Sequence, residues 1–504
     1  MTTLNELHWP ACEVGLARDG SRIEWSGKMK ALAYFGQGRF ELIEDRPIVC
    51  TEHDLLARVE RVYRCGTDVK ICTSGRPDQC EESLLDELRS IFAIDAPHRD
   101  GHFPDYSRLL LDNQPVGTGD DRLFIAIRER LAGMSGEDRD RLAGLLRRFW
   151  GRILGHETVV TIERVGSKVH ELREGIGYMA GRWLDPAYLA FKPGDRCVLQ
   201  SRIARYDPPP TSRPDAAGVQ LLGGNITDLA MNLAGAYAQY IRLTPPIIRS
   251  GSVIRVPGEL SNALAAFAEP AACLLDCFQK STHELGQDDH GSILHRSVLP
   301  GGTTCVIGSG AMAMMSMMFA LVNDDVLGMS SAAEVVTVVR GDDKADLVRR
   351  IMADPRVVTV VCKDESQLPG RIAKVYGPQY QQRTGKSFRG FDDVIVAAGN
   401  AQTLALAHAL IAPTGARIMA FAGTRGPCEL ESGVWHYANA GLLGTSGSNT
   451  KMLELALGLF NRSKMPVERL AGKGYTFNDF ATPAGIRAFF EDKNLRPYLQ
   501  PDTA

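Results

Sequence analysis

The sequence predicts an α/β protein in two parts: a β-rich part drawn from the N-terminal half, and a doubly wound parallel sheet with helices on both faces. Three observations carry this. Short apolar runs containing Val, Tyr and Phe occur at Met29–Phe40 and Leu55–Tyr63, and β character returns between Gly155 and Val198. From Thr303–Ile307 onward, apolar strands alternate with amphipathic helical stretches; the strands are Val335–Val339, Val357–Val361, Val394–Ala398 and Arg417–Phe421. A Gly-x-Gly-x-x-Ala turn, Gly308 to Ala313, joins the first of these strands to the apolar segment Met314–Val322.

The bulk properties narrow the class. The chain has 504 residues, with 57 Lys+Arg against 60 Asp+Glu, 44% apolar and 23% charged. That length suits two to four domains with sizeable cores. The net charge of −3 leaves no electrostatic footprint for nucleic acid. There is no apolar run of about 18 residues, so no membrane span is expected. Met1–Ser26 carries Glu6, Glu13, Arg18 and Asp19 and does not read as a signal peptide. The 11 cysteines are scattered, with no Cys-x-x-Cys pair, which predicts reduced thiols and a cytoplasmic protein.

Taken in order, Cys65–Ile71 reads as a glycine-containing turn leading into a short mixed segment. Glu81–Ile94, Asp121–Leu131 and Asp138–Phe149 place leucines at helical spacing, so 76–150 is expected to be an inserted helical subdomain. Gly166 and Pro193-Gly194-Asp195 are turn signals, Tyr206–Gly224 a loop, and His283–Arg296 a second polar insert.

The turn at 308–313 has a physical logic. Gly308 permits a tight turn and Gly310 lets the backbone approach a pyrophosphate. Ala311 and Met312 start a helix whose N-terminus faces the phosphates, and the small Ala313 allows close helix–strand packing. At the end of the next strand, where an acidic residue would hold a ribose 2′-hydroxyl, stands Arg340. That suits a 2′-phosphate, so NADP(H) is expected over NAD(H); the other reading is a solvated Arg340 with Asp342 on the ribose.

Cys65, His156, Glu157 and Glu269 are residue types that Zn²⁺ accepts. Taken singly, three have plain alternatives: Cys65 a buried thiol, His156 a core histidine, and Glu269 a carboxylate at a helix start. Their order along the chain changes the weight. Cys65-Gly66-Thr67-Asp68, Gly155-His156-Glu157, Pro193-Gly194-Asp195-Arg196, Ala268-Glu269-Pro270 and the glycine turn follow one another as in the zinc-dependent medium-chain alcohol and polyol dehydrogenases, which the chain resembles over most of 29–75 and 151–496. Asp195–Gln200, Gly223-Gly224-Asn225, Glu269–Cys273, Phe421-Ala422-Gly423, His436-Tyr437 and Gly444–Gly447 are most similar to the ketose-phosphate reductase branch.

That resemblance implies a GroES-like β catalytic domain with a Rossmann coenzyme domain. It implies Cys65 and His156 as catalytic zinc ligands, Glu157 as a third or exchangeable ligand, and Glu269 as an additional one. Thr67 resembles the hydroxyl that passes the substrate proton, and Asp68 the carboxylate that orients the histidine. Lys70 stands where a relay or substrate-contacting residue sits. Three departures accompany it. No cysteine falls between Val198 and Gly235, so one catalytic zinc and no structural zinc are expected. Val160 replaces a glycine. The helical block separates Cys65 from His156.

The expected segments are an N-terminal extension 1–28, a catalytic domain 29–274, a dinucleotide domain 275–443 and a catalytic return 444–504, arranged around a cleft. The expected partner is a small polyol, sugar or sugar phosphate, in a homo-oligomer, with the insert as a lid or oligomer contact. A zinc-independent reductase on the same fold, or a nucleotide-sensing scaffold, are the other readings. His98, His102 and Asp105 lie among Pro97, Gly101 and Pro104, which argues against a second metal site. Met312, Met314, Met315, Met317 and Met318 read as core, and Arg139, Arg141, Arg147 and Arg148 as a solvated face. Gly444–Ser448 is either a substrate-phosphate loop or a structural one.

Overall fold

The computed structural model describes residues 21–34, 40–73, 152–175, 182–204, 226–228, 234–423, 426–493 and 495–501. The expected helices within 76–150, the candidate His98–His102 pair and the loop Tyr206–Gly224 lie outside the described residues. The chain forms two compact units. One runs to Val256 and resumes at Gly472, and the other is Pro257–Ala471.

In the first unit, β1 (Ile23–Tyr34) alternates exposed and half-buried residues over its first half, and its last four residues are all buried. It pairs antiparallel with β2 (Phe40–Thr51) and with β4 (Arg152–Ile153), in the order β2-β1-β4. The sequence reading does not anticipate β2. Glu41, Glu44, Asp45 and Arg46 interrupt its apolar pattern, and Pro47 lies opposite Lys28 on an edge strand, where a missing N–H is tolerated.

β3 (Leu55–Tyr63) has the expected bounds. Beyond it, the segment read as mixed folds as a helix, α1 (Gly66–Thr73). Then come β5 (Glu157–Val165), β6 (Arg196–Leu199), the small pair β7 (Arg202–Ala204) and β8 (Ile226–Asp228), β9 (Tyr240–Leu243) and β10 (Val253–Arg255). Gly194 takes a φ of +91°, as its Pro-Gly-Asp turn requires.

The first long helix of the second unit is α2 (Ala268–Lys280), after a single turn at Asn262–Ala265. The polar insert proves to be a hairpin, β11 (Thr282–Asp288) and β12 (Gly291–Arg296), whose largely exposed strands explain their polar composition. His283 anchors it, its Nε2 lying 2.8 Å from the fully buried Asp393. Next come β13 (Thr303–Ile307), α3 (Ala311–Ala320), β14 (Glu334–Val339), α4 (Asp342–Met352), β15 (Val357–Val361), β16 (Asp393–Val396), α5 (Ala401–Leu410), β17 (Arg417–Ala420), β18 (Gly441–Gly444) and α6 (Thr450–Arg462). The strands form one parallel sheet in the order β15-β14-β13-β16-β17-β18. All five residues of β13 are buried, as a central parallel strand covered on both faces demands. Met314, Met315, Met317 and Met318 are core. Helices α2 and α6 pack together in this unit.

The chain then returns to the first unit through β19 (Ala471–Tyr475), α7 (Pro483–Glu491) and β20 (Arg496–Leu499). The larger antiparallel sheet reads β10-β6-β5-β3-β20-β19, with β9 also on β3. Leu55, Val59, Ile162, Cys197, Tyr237, Phe477 and Phe489 are buried in the core of this unit. Among the described residues, no helix is long and apolar enough to cross a membrane.

Candidate functional site

Strand register assembles the site. Tyr63, the last residue of β3, pairs with Glu157 on β5 and with Tyr498 on β20. Cys65, two residues on, therefore lies near His156 and Glu157 on one side and Arg496 on the other. Potential ligand atoms of Cys65, His156 and Glu157 all lie within 4.8 Å of one another. Among the described residues this is the one such group of three.

Cys65 also starts α1. Its Sγ accepts the Thr67 N–H at 3.4 Å, and its own N–H donates to Asp68 Oδ2 at 2.9 Å. Asp68, at the third helical position, reaches back to the Cys65 N–H as in a capping box, while the thiol caps the second position in the place of Ser or Thr. One short motif thus ends a strand, caps a helix and aims a thiol.

Asp68 is completely buried, which is tolerable only because donors surround it. Besides Cys65 N–H, Oδ2 accepts the Tyr237 hydroxyl at 2.7 Å, while Oδ1 accepts the Gly155 N–H at 3.4 Å and lies 3.7 Å from His156 Nδ1. Burial first, and the Asp68 carboxylate second, push the Tyr237 phenol well above its usual value, so it remains a donor. Gly155 is needed twice over. Its φ is +89°, and a Cβ there would meet the Tyr237 ring at 2.7 Å.

Glu157 is buried against Arg496, whose Nη1 donates to Oε1 at 2.6 Å and to Oε2 at 2.5 Å. Burial opposes the charge on Arg496, but Glu157 and Cys65 outweigh it and hold the guanidinium above its ordinary value. Sequence reasoning missed Arg496 and Tyr237. Their sole signals are an arginine inside an apolar strand, Arg496-Pro497-Tyr498-Leu499, and an aromatic in Gly235-Ala236-Tyr237. Thr67 and Lys70 are exposed on α1. Val160, at the position noted for its lost glycine, is a buried residue of β5 whose partner Val59 borders a register shift in β3. Glu269 lies in the second unit, buried in the first turn of α2 and outside the group of three.

In the second unit, the glycine turn follows β13, whose neighbours are β14 and β16. This is the switch point of the sheet, where such folds bind ligands. Gly308 has a φ of +138°, and a Cβ there would lie 3.3 Å from Ala313 Cβ. A Cβ on Gly310 would meet nothing within 4 Å, so the space before the N-terminus of α3 is open to a ligand. Arg340 directly follows β14, exposed and ion-paired with Glu365. In the loop after β18, the Thr445 hydroxyl donates to Asp276 at 2.7 Å, and Asn449 caps α6, so these side chains anchor the loop.

No protein-family model matches the chain. It is similar to an L-sorbose 1-phosphate reductase of Klebsiella pneumoniae, 22% identical over 289 residues, covering 56% of this chain and 61% of that protein. The chain thus matches less than two thirds of that relative's length. Among solved structures, it resembles 2R,3R-butanediol dehydrogenase from Bacillus subtilis (TM-score 0.57, 14% identity, covering 94% of this chain and 100% of that one). It also resembles Haloferax mediterranei glucose dehydrogenase in complex with NADP, Zn and gluconolactone (TM-score 0.54, 16% identity, covering 94% and 100%).

Proposed function

We propose that this chain, which has the fold of the medium-chain dehydrogenases, is a zinc-dependent oxidoreductase that interconverts a secondary alcohol and a ketone on a polyol, sugar or sugar phosphate, using NADP(H). The observation that carries the reading is the convergence of Cys65, His156 and Glu157. A thiolate, an imidazole and a carboxylate form a donor set that fits zinc and leaves a position for substrate. When bound, zinc supplies a Lewis acid for the substrate oxygen, and the coenzyme supplies or accepts the hydride.

The chain's residues do the remainder. Cys65 and His156 hold the metal, and Asp68 orients His156. Both Glu157 oxygens are engaged by Arg496, which favours Glu157 as an exchangeable ligand over a permanent one. Glu269 is the further carboxylate ligand by resemblance. Thr67, with Lys70 or water, moves the alcohol proton outward from its exposed position at the start of α1. Gly308, Gly310, Ala311, Met312 and Ala313 receive the pyrophosphate, and Arg340 the 2′-phosphate. The sugar-phosphate class draws support from the Klebsiella relative, and NADP(H) from Arg340.

Metal analysis and a coenzyme-reduction screen over polyols and their phosphates test the reading. The expected result is one zinc per chain, with turnover lost in Cys65→Ser. Substoichiometric zinc together with full turnover in Cys65→Ser would sink it.

A further inference from the structure

Tyr237 lies in a stretch whose backbone is bonded on two sides. Gly235, Ala236 and Tyr237 donate to Ile153, Gly155 and Leu154, the residues just before His156, while the Tyr237 carbonyl accepts from Leu32 on β1. The ring is fully buried and edge-on to Phe489, with centroids 5.5 Å apart. Strapped at both backbone and ring, the phenol has little freedom, and its one proton goes to Asp68 Oδ2.

The other donors to Asp68 are the backbone N–H groups of Cys65 and Gly155, each in or beside the proposed ligand set. These two N–H groups belong to the ligand-bearing segments themselves. Tyr237 adds a side-chain donor from a separate segment, one that is also bonded to Leu32 on β1.

We propose that Tyr237 is a positioning residue for the metal centre: its hydroxyl sets the plane of the Asp68 carboxylate, which holds His156 with Nδ1 toward Asp68 and leaves Nε2 for the metal. The inference rests on the zinc reading above. The hydrogen bond is charge-assisted and shielded from water, where such bonds are strongest. Removal of a partner behind a ligating histidine typically costs 10–100-fold in metal affinity.

The test is Tyr237→Phe, which keeps the ring and its packing on Phe489. Zinc affinity, read by competition with a chromophoric chelator, is expected to fall about tenfold. The absorption bands of the cobalt-substituted protein should shift. In an Asp68→Asn background the same substitution should add little. Wild-type affinity and an unchanged cobalt spectrum in Tyr237→Phe overturn the inference. If wild type binds zinc and Cys65→Ser does not, that failure belongs to Tyr237 alone. If wild type and Cys65→Ser bind zinc equally, the zinc reading falls and takes the inference with it. Should Tyr237→Phe not fold, fluorotyrosine at position 237 keeps the hydroxyl and changes its acidity for a small gain in ring size. A changed zinc affinity then supports the inference, and an unchanged one overturns it.

Discussion

Arg496 and Glu157 form an ion pair withdrawn from water, their side chains 7% and 1% exposed. Two such charges are costly to bury, and removing one partner strands the other at about 3–5 kcal/mol. Arg496→Met should therefore lower the stability of metal-free protein by about that amount in urea denaturation. Adding Glu157→Gln should recover most of the loss. The pair also shows where residue-level legibility stops. Cys65, His156 and Glu157 announce themselves by type and by neighbours, but Arg496 becomes functional only through the register of β20 on β3. Among the described thiols, burial pushes Cys50, Cys197 and Cys277 up to about 12, whereas Cys65 is half-buried at the start of α1.

Among the elements, those whose signals are local were legible. β3 carries a regular apolar pattern, and the β13–turn–α3 unit needs glycine at stated positions for steric reasons. β2 was opaque because Glu41, Glu44, Asp45, Arg46 and Pro47 break up a strand whose Ile43, Ile48, Val49 and Cys50 are nonetheless buried, and the β11–β12 hairpin because an exposed ribbon needs no apolar face. α1 was missed because its cap is a cysteine. The end of β14 yields a prediction of its own. The exposed Arg340–Glu365 pair is worth at most about 1 kcal/mol, so a dianionic 2′-phosphate can compete for the guanidinium. Binding titrations should favour NADPH over NADH, and Arg340→Asp should reverse that order by tenfold or more, on the order of 1.4 kcal/mol. An unchanged ratio would remove Arg340 from the coenzyme site.

For the whole molecule, the doubly wound sheet and the β-rich part were both readable from where periodicity changes along the chain. Separate cores predict separate responses to ligands. Chelating zinc should raise amide exchange in β3, α1 and β5 while leaving β13–β18 unchanged, and NADPH should do the converse by protecting the turn after β13. Uniform changes across both units would contradict this. The position of β20 beside β3 has a further consequence, in the order of events during synthesis. Arg496 follows Glu157 by 339 residues. At about 5–20 residues per second, the ribosome delivers that arginine on the order of 20–70 s after the carboxylate it neutralises. Pro257–Ala471, being contiguous, can fold during that wait. The unit begun first is finished last, and until then Glu157 must keep company with water or a passing cation.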